Sequence, residues 1–206
     1  ILIIVACKHK LLSMEIIIIG TGTAVPLLHR ASPCVLARIG RSTVLCDTGP
    51  GTLRQMLKAG VTITQVDHII YTHLHIDHTA DFAPFLFAAQ YAPGLQRTKD
   101  LVITGPAGIR QFYEKLKDVY GAWITPDNFS IVWTEMTKGS KEFSDFIVTA
   151  APVKHTLSSI AVRLQDHAGK VVVYSGDTDY CRSIVDLAVH ADVLILECAF
   201  PEHMRC

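Results

Sequence analysis

The chain has 206 residues, of which 50% are apolar and 18% are charged, so it can bury a sizeable core and most simply forms one domain. Nineteen basic residues balance nineteen acidic ones, so no overall positive field attracts nucleic acid, and an RNA-binding surface would have to be local. The six cysteines form neither a Cys-x-x-Cys pair nor a disulfide framework, which indicates a reducing, cytoplasmic environment.

The first segment, residues 1–13, begins with an apolar run that is too short to span a bilayer and lacks the basic flank of a signal peptide. Ile4-Val5-Ala6-Cys7 faintly resembles a lipoprotein cleavage box, which leaves a membrane anchor as the alternative. Met14 immediately precedes the first strand of the domain. We therefore expect residues 1–13 to be an extension or a mis-called start, residues 14–206 to form the domain, and no membrane association.

Strands and helices alternate along the rest of the chain. β-Branched runs that end in turn residues predict strands at 15–19, 34–39, 43–46, 68–72, 101–104, 145–150, 159–164, 171–175 and 192–197. Helices are predicted at about 51–59, 80–91, 107–120 and 181–190; Gly60 ends the first of them and Pro106 opens the third. Such a mixed α/β pattern, with strands in runs, is typical of two packed sheets flanked by helices.

Four potential metal ligands follow the strand predicted at 68–72, namely His73, His75, Asp77 and His78. Side chains on an extended segment alternate, so His73 and His75 point to the same side and can hold one ion together. Asp77 and His78 fall where the chain turns, and can face a second ion. Imidazole and carboxylate suit zinc, or less strictly manganese or iron. The alternative is a group of ordinary polar loop residues, although three of the ten histidines in one heptapeptide are hard to explain that way.

This segment resembles the His-x-His-x-Asp-His signature of the metallo-β-lactamase superfamily. The runs 20–26 and 45–52 resemble the opening of its ribonuclease Z branch. His155 stands in the place of the isolated histidine of the third motif, and Ser175-Gly176-Asp177-Thr178 resembles the bridging-aspartate motif. The resemblance covers about residues 14–200. It implies an αββα four-layer sandwich, here without its last helix and strand.

The same resemblance assigns roles to the dispersed residues. It implies that His73, His75 and His155 hold one divalent ion, that Asp77 and His78 hold part of a second, and that Asp177 bridges the two. The two ions, zinc in the first place, would share a hydroxide that acts as the nucleophile.

Three of these residues have ordinary alternatives when they are taken singly. His155 could be a polar residue at a strand end, and Asp177 a turn residue. Asp47 could cap the helix that opens at Gly51, or orient the metal loop through hydrogen bonds.

Three features depart from the family pattern. Glu197 matches the glutamate of a His-Glu-Ala-Thr segment, but Leu196 replaces the histidine thought to protonate the leaving group, so Glu197 is either catalytic or a buried partner of a neighbouring loop. The twenty-one residues between His155 and Asp177 leave no room for the arm that grips tRNA. The chain stops at Cys206, before the family's last histidine ligand, so either the domain is incomplete at its C-terminus or the second ion is weakly held.

We therefore expect a metal-dependent hydrolase that cleaves small cyclic or nucleotide phosphodiesters, with Asp77 and Glu197 as candidate catalytic residues. One alternative is a tRNA 3′-end processing endonuclease, with RNA as its substrate. Another is a non-catalytic metal-binding domain. Because relatives often pair as dimers, a homodimer is also expected.

Overall fold

The computed structural model describes residues 2–5, 14–94 and 96–198. In chain order, its strands are β1 (Leu2–Val5), β2 (Met14–Gly20), β3 (Cys34–Ile39), β4 (Ser42–Cys46), β5 (His68–Ile70), β6 (Leu101–Gly105), β7 (Ile131–Glu135), β8 (Gly139–Glu142), β9 (Phe146–Pro152), β10 (Ile160–Asp166), β11 (Val171–Tyr174) and β12 (Val193–Leu196). The α-helices are α1 (Thr52–Lys58), α2 (Ile76–Thr79), α3 (Phe82–Tyr91), α4 (Ile109–Tyr120) and α5 (Arg182–Leu187). Two short 3-10 helices cover Ile63–Gln65 and Gly121–Ile124.

These strands form two six-stranded sheets within the described residues. The N-terminal sheet runs in the spatial order β2-β3-β4-β5-β6-β7, and the C-terminal sheet in the order β1-β12-β11-β10-β9-β8. Strands β4 to β7 are parallel neighbours, and so are β11 and β12. Because parallel strands end at the same edge of a sheet, the loops that follow them meet there.

Three apolar clusters separate four layers. One lies between the N-terminal sheet and helices α1, α3 and α4, and contains Leu36, Ile69 and Phe85. A second lies between the two sheets and contains Val35, Ile70, Phe146, Val162 and Ile195. The third packs α5 on the outer face of the C-terminal sheet through Val173, Ile184 and Leu187. Adjacent residues such as Val35 and Leu36 thus serve different cores, as expected of a sheet that is buried on both faces. The predicted αββα sandwich is confirmed.

All nine predicted strands and all four predicted helices are present, with ends shifted by at most three residues. Prediction missed β1, β7, β8 and α2. Strand β8 is fully exposed and consists of Gly-Ser-Lys-Glu, residues of low β-propensity, so its extended form depends on pairing with β9.

Strand β1, inside the segment expected to be an extension, pairs antiparallel with β12 from Leu2↔Leu196 to Val5↔Val193. Strand β12 is therefore paired on both sides, with β1 and with β11. No helix of the described ranges is long and apolar enough to cross a bilayer.

Candidate metal centre

Four side chains converge at the end of the two sheets where β5, β9 and β11 finish. His73, His75, His155 and Asp177 offer ligand atoms that all lie within 4.8 Å of one another. The Nδ1 atom of His75 lies 3.1 Å from Nε2 of His73 and 3.0 Å from Nε2 of His155. Tetrahedral coordination by nitrogen at about 2.0–2.1 Å separates ligand atoms by about 3.3–3.4 Å, so these spacings suit a single cation. We call these four residues the first group.

A second group shares one of these residues. Asp77, His78 and Asp177 also offer ligand atoms within 4.8 Å of one another. Nε2 of His78 lies 3.1 Å from Oδ1 of Asp177 and 3.8 Å from Oδ2 of Asp77. The other oxygen of Asp177, Oδ2, lies 3.8 Å from Nε2 of His73 and 3.7 Å from Nε2 of His155. Asp177 thus presents one oxygen to each group, which is the arrangement that a bridging carboxylate requires.

Buried His78 provides a test of whether these residues fit a metal ion. Its ring is 1% exposed, and among the described residues its Nε2 atom has no well-formed hydrogen bond, although Asp177 Oδ1 lies 3.1 Å away. Its Nδ1 atom lies 2.7 Å from Asp47 Oδ2 and can donate its proton there, which leaves Nε2 directed at the carboxylates of Asp77 and Asp177. A buried ring nitrogen that faces two carboxylates is costly unless a proton or a metal cation lies between them. The donor set therefore fits a divalent ion.

The charge balance of the centre points the same way. Burial lowers the pKa of His78, but the carboxylates of Asp47 and Asp177 outweigh burial and raise it to about 10. Burial is also the main influence on the carboxyl of Asp177, yet the surrounding histidines outweigh it and lower its pKa. Burial and the neighbouring His78 lower the pKa of His73 to about 4, so its ring is neutral at neutral pH, as a metal ligand must be. The carboxylates favour positive charge here, and a divalent cation would supply it.

Asp47 supports both groups from behind. It is fully buried directly after β4, with a φ of 59° in the left-handed region. Its Oδ1 accepts a hydrogen bond from the backbone N–H of Thr72 at 2.8 Å, and its Oδ2 accepts one from the Thr72 hydroxyl at 2.8 Å. With His78 also donating to Oδ2, Asp47 holds both ends of the loop between Thr72 and His78. Of the two roles considered for Asp47, the hydrogen bonds correspond to orientation of the metal loop; its side chain does not cap α1.

Close backbone contacts fix the loops that carry the ligands. The Ile160 N–H donates to the Thr72 carbonyl at 2.9 Å, which joins the two sheets beside the centre. Gly176 has a φ of 57°, and a Cβ there would lie 2.5 Å from the Thr72 side chain. The chain next to His155 pairs with the chain next to Asp177 through an isolated bridge between Lys154 and Asp179. These contacts bring together residues that lie up to 104 positions apart, His73 and Asp177.

Glu197 lies beside the centre but outside both groups. Its Oε2 accepts a hydrogen bond from the backbone N–H of Thr178 at 3.0 Å, and its own N–H donates to Ser175 Oγ at 3.0 Å. Of the two alternatives that the sequence left open, this geometry matches a partner of the neighbouring loop.

Two supporting residues were missed by sequence reasoning. Thr72 lies inside the metal motif, and Tyr174 donates a hydrogen bond from its phenol to Asp47 Oδ2 at 2.9 Å. The signal for Tyr174 is its place as the last residue of β11, three positions before Asp177. That position indicates that Tyr174 lies near the centre, but it does not indicate that Asp47 accepts its hydrogen bond.

Comparison with known proteins gives a consistent result. The family model described as Metallo-beta-lactamase superfamily matches residues 29–198. Ribonuclease Z of Mycolicibacterium gilvum (strain PYR-GCK) is 31% identical over 199 residues, which cover 88% of this chain and 68% of that protein. Ribonuclease Z of Bacillus licheniformis is 27% identical over a gapped alignment of 245 positions, which covers 93% of this chain and 78% of that protein.

Solved structures resemble the chain over most of its length. The metallo-beta-lactamase fold protein YhfI from Bacillus subtilis superposes with a TM-score of 0.75 at 26% identity, covering 91% of this chain and 71% of that one. The short form of human tRNase Z superposes with a TM-score of 0.72 at 23% identity, covering 85% of this chain and 74% of that one, which shows a shared fold.

Proposed function

Since the chain belongs to the metallo-beta-lactamase superfamily, in its ribonuclease Z-like branch, we propose that its metal centre hydrolyses a phosphodiester bond in a small substrate. The protein is a metal-dependent hydrolase of that superfamily. The observation that carries the proposal is the convergence of two ligand groups on the single carboxylate of Asp177.

The proposed ligands divide between two divalent ions, most simply zinc, with manganese and iron as alternatives. His73, His75 and His155 would hold the first ion, Asp77 and His78 the second, and Asp177 both. When bound, such a pair of ions makes water a stronger acid and balances the charge that develops on a phosphoryl group.

The surrounding side chains have distinct tasks in this proposal. Asp77 belongs to the second group, and its side chain is 16% exposed, so its carboxylate could accept a proton from water in the centre. Glu197 holds the Thr178 backbone and so acts as a positioning residue for Asp177. With Leu196 in place of the family's histidine, a substrate whose leaving group needs little protonation suits this chain best.

The rim of the centre supports a small, partly apolar substrate. Ile76 and Leu157, which lie one and two positions beyond the ligands His75 and His155, are largely or fully exposed. Two basic side chains are already paired, Lys154 beside His155 with Asp179 at 3.0 Å, and Arg182 of α5 with Asp186 at 2.8 Å. An exposed aliphatic rim favours the apolar body of a small diester over the phosphates of a long polyanion.

The second candidate is endonucleolytic processing of the tRNA 3′ end, favoured by the identity to proteins named ribonuclease Z. This chain has no tRNA-recognition arm between His155 and Asp177, because β10 and β11 occupy most of that segment. A non-catalytic metal-binding domain is the third.

Two further expectations belong to this proposal. Cytoplasmic residence is supported by the free cysteines Cys34, Cys46, Cys181 and Cys198. A homodimer is supported by the exposed aromatic cluster Phe87, Tyr91 and Trp123, with ring centroids 5.1–6.0 Å apart, and sedimentation would test it.

The function is tested with zinc-loaded protein, bis(p-nitrophenyl) phosphate and a precursor tRNA, with bound metal measured by mass spectrometry. We expect Asp177→Asn to lose metal and at least about 100-fold in kcat/KM on the small diester. The matched control is Asp186→Asn at an exposed position of α5, which should change neither quantity. Efficient cleavage of the tRNA would favour the second candidate, and a metal-loaded but inert protein the third.

A further inference from the structure

Asp47 receives a hydrogen bond from the opposite sheet. Tyr174 ends β11 of the C-terminal sheet, is 3% exposed, and donates from its phenol to Asp47 Oδ2 at 2.9 Å. Asp47 follows β4 of the N-terminal sheet, 127 positions earlier in the chain. The bond therefore spans the sandwich directly behind the metal centre.

Asp47 is connected to one ligand of each group. It accepts the Nδ1 proton of His78, which belongs to the second group. It also accepts the hydroxyl proton of Thr72, whose oxygen lies 3.1 Å from Nδ1 of His73 in the first group. Because the Thr72 hydroxyl donates to Asp47, it is free to accept the His73 Nδ1 proton. Both rings are thereby held with Nε2 toward the centre.

We propose that Tyr174 is a positioning residue for both metal ions, acting through Asp47. Three donors crowd onto Oδ2 of Asp47: His78 is itself a ligand, Thr72 contacts the ligand His73, and Tyr174 reaches Asp47 from the opposite sheet. Its phenol fixes the rotation of the Asp47 carboxylate. Its hydrogen bond also weakens the hydrogen bonds that Oδ2 accepts from Thr72 and His78. Orientation and basicity of ligating histidines are both set by such outer contacts.

The position of Tyr174 in the chain adds a second link. It lies three residues before Asp177, and the Ser175 N–H that follows it donates to the Ile195 carbonyl at 3.0 Å. Its phenol thus ties the strand that carries the bridging carboxylate to the carboxylate that orients His73 and His78. Removal of the hydroxyl loosens this tie and leaves the ring packing intact.

The experiment compares Tyr174→Phe with Tyr71→Phe. Tyr71 is also fully buried, but its phenol lies 2.7 Å from Thr48 Oγ1 instead of Asp47, so the control removes the same atom from a neighbouring site. Metal is removed by a chelator, and each protein is then titrated with Zn²⁺ and with Co²⁺, whose absorption spectrum reports ligand geometry. This inference rests on the ligand set of the proposed function.

For Tyr174→Phe we expect Kd values for both ions that are about three- to tenfold weaker, and an altered Co²⁺ spectrum. Tyr71→Phe should match the wild type in both, with a similar small loss of thermal stability in the two variants. Equal metal affinity and spectra in Tyr174→Phe and Tyr71→Phe would overturn the inference, as would weakening of one ion alone. A wild-type protein that takes up no ion contradicts the proposed function itself.

A second variant keeps the idea testable if Tyr174→Phe does not fold. Thr72→Val removes the hydroxyl between Asp47 and His73. If Asp47 links Tyr174 to the ligands, Thr72→Val should bind the ion of the first group more weakly. The affinity for the ion of the second group should change less. Unchanged affinity for the ions of both groups would show that Asp47 does not orient the ligands, and would refute the positioning role of Tyr174.

Discussion

Replacement of Asp47 by asparagine is the most direct test of the buried network behind the metal centre. The carboxylate accepts four hydrogen bonds at 2.7–2.9 Å, three of them on Oδ2. The best orientation of an amide keeps its oxygen at the Oδ2 position and turns its NH2 group toward the Thr72 N–H, so that two donors face each other. At least one hydrogen bond is therefore lost and one buried N–H is left without an acceptor.

The magnitude follows from these contacts. A hydrogen bond to a charged group contributes about 1.5–3 kcal/mol, and three remaining bonds that become neutral weaken by about 1 kcal/mol each. The gross loss of roughly 4–6 kcal/mol is partly offset, because a buried charge no longer has to be desolvated. We expect a net loss of about 3 kcal/mol, which lowers the Tm of a domain this size by about 6–12 °C.

The assay is thermal and urea unfolding of chelated and zinc-loaded protein, together with zinc titration. Asp47→Asn should weaken zinc binding by about 10- to 100-fold, since His78 loses its charged partner. The control is Asp145→Asn, which loses a half-buried carboxylate whose Oδ2 accepts from Ser42 Oγ at 2.7 Å, away from the centre. A stability loss below about 0.5 kcal/mol with unchanged zinc affinity would refute the proposed support of His73 and His78 by Asp47.

Three further predictions concern single positions. His75→Ala should lose metal and turnover together with little effect on the fold, whereas the exposed control His167→Ala should keep both; retained metal stoichiometry in His75→Ala would count against the ligand set. Gly176→Ala should destabilise the protein by about 2 kcal/mol more than Gly169→Ala, because both have positive φ but only a Cβ at 176 meets Thr72, and equal unfolding free energies would contradict this contact. Burial between Phe143 and Phe146 lowers the pKa of His68 from 6.5 to about 4, so the folded state binds this proton less readily than the unfolded chain does. Stability present above pH 6.5 is therefore lost as the pH falls toward 4, by about 2 kcal/mol at pH 5. His68→Phe should remove that part of the pH dependence, and identical pH profiles of urea unfolding would show the assignment to be wrong.

The sequence alone determined most of the strands and helices and the local part of the centre. Strand and helix patterns have periods of two and 3.6 residues, so runs such as Ile16–Ile19 and the stop at Gly60 are visible within a short window. His73, His75, Asp77 and His78 are contiguous, and their grouping needs no knowledge of the tertiary structure. The order of the family motifs along the chain identified His155 and Asp177 as ligands, and the structure places both beside His73 and His75.

The tertiary structure decided what depends on contacts between distant segments. Strand β8 has no intrinsic preference for an extended form and exists because β9 lies beside it. The bond from Tyr174 to Asp47 crosses two sheets, and the bond from Thr178 to Glu197 joins two loops; neither follows from periodicity. A hydrogen bond requires its two atoms within about 3 Å, and only packing of the complete sandwich sets such distances between residues far apart in the chain.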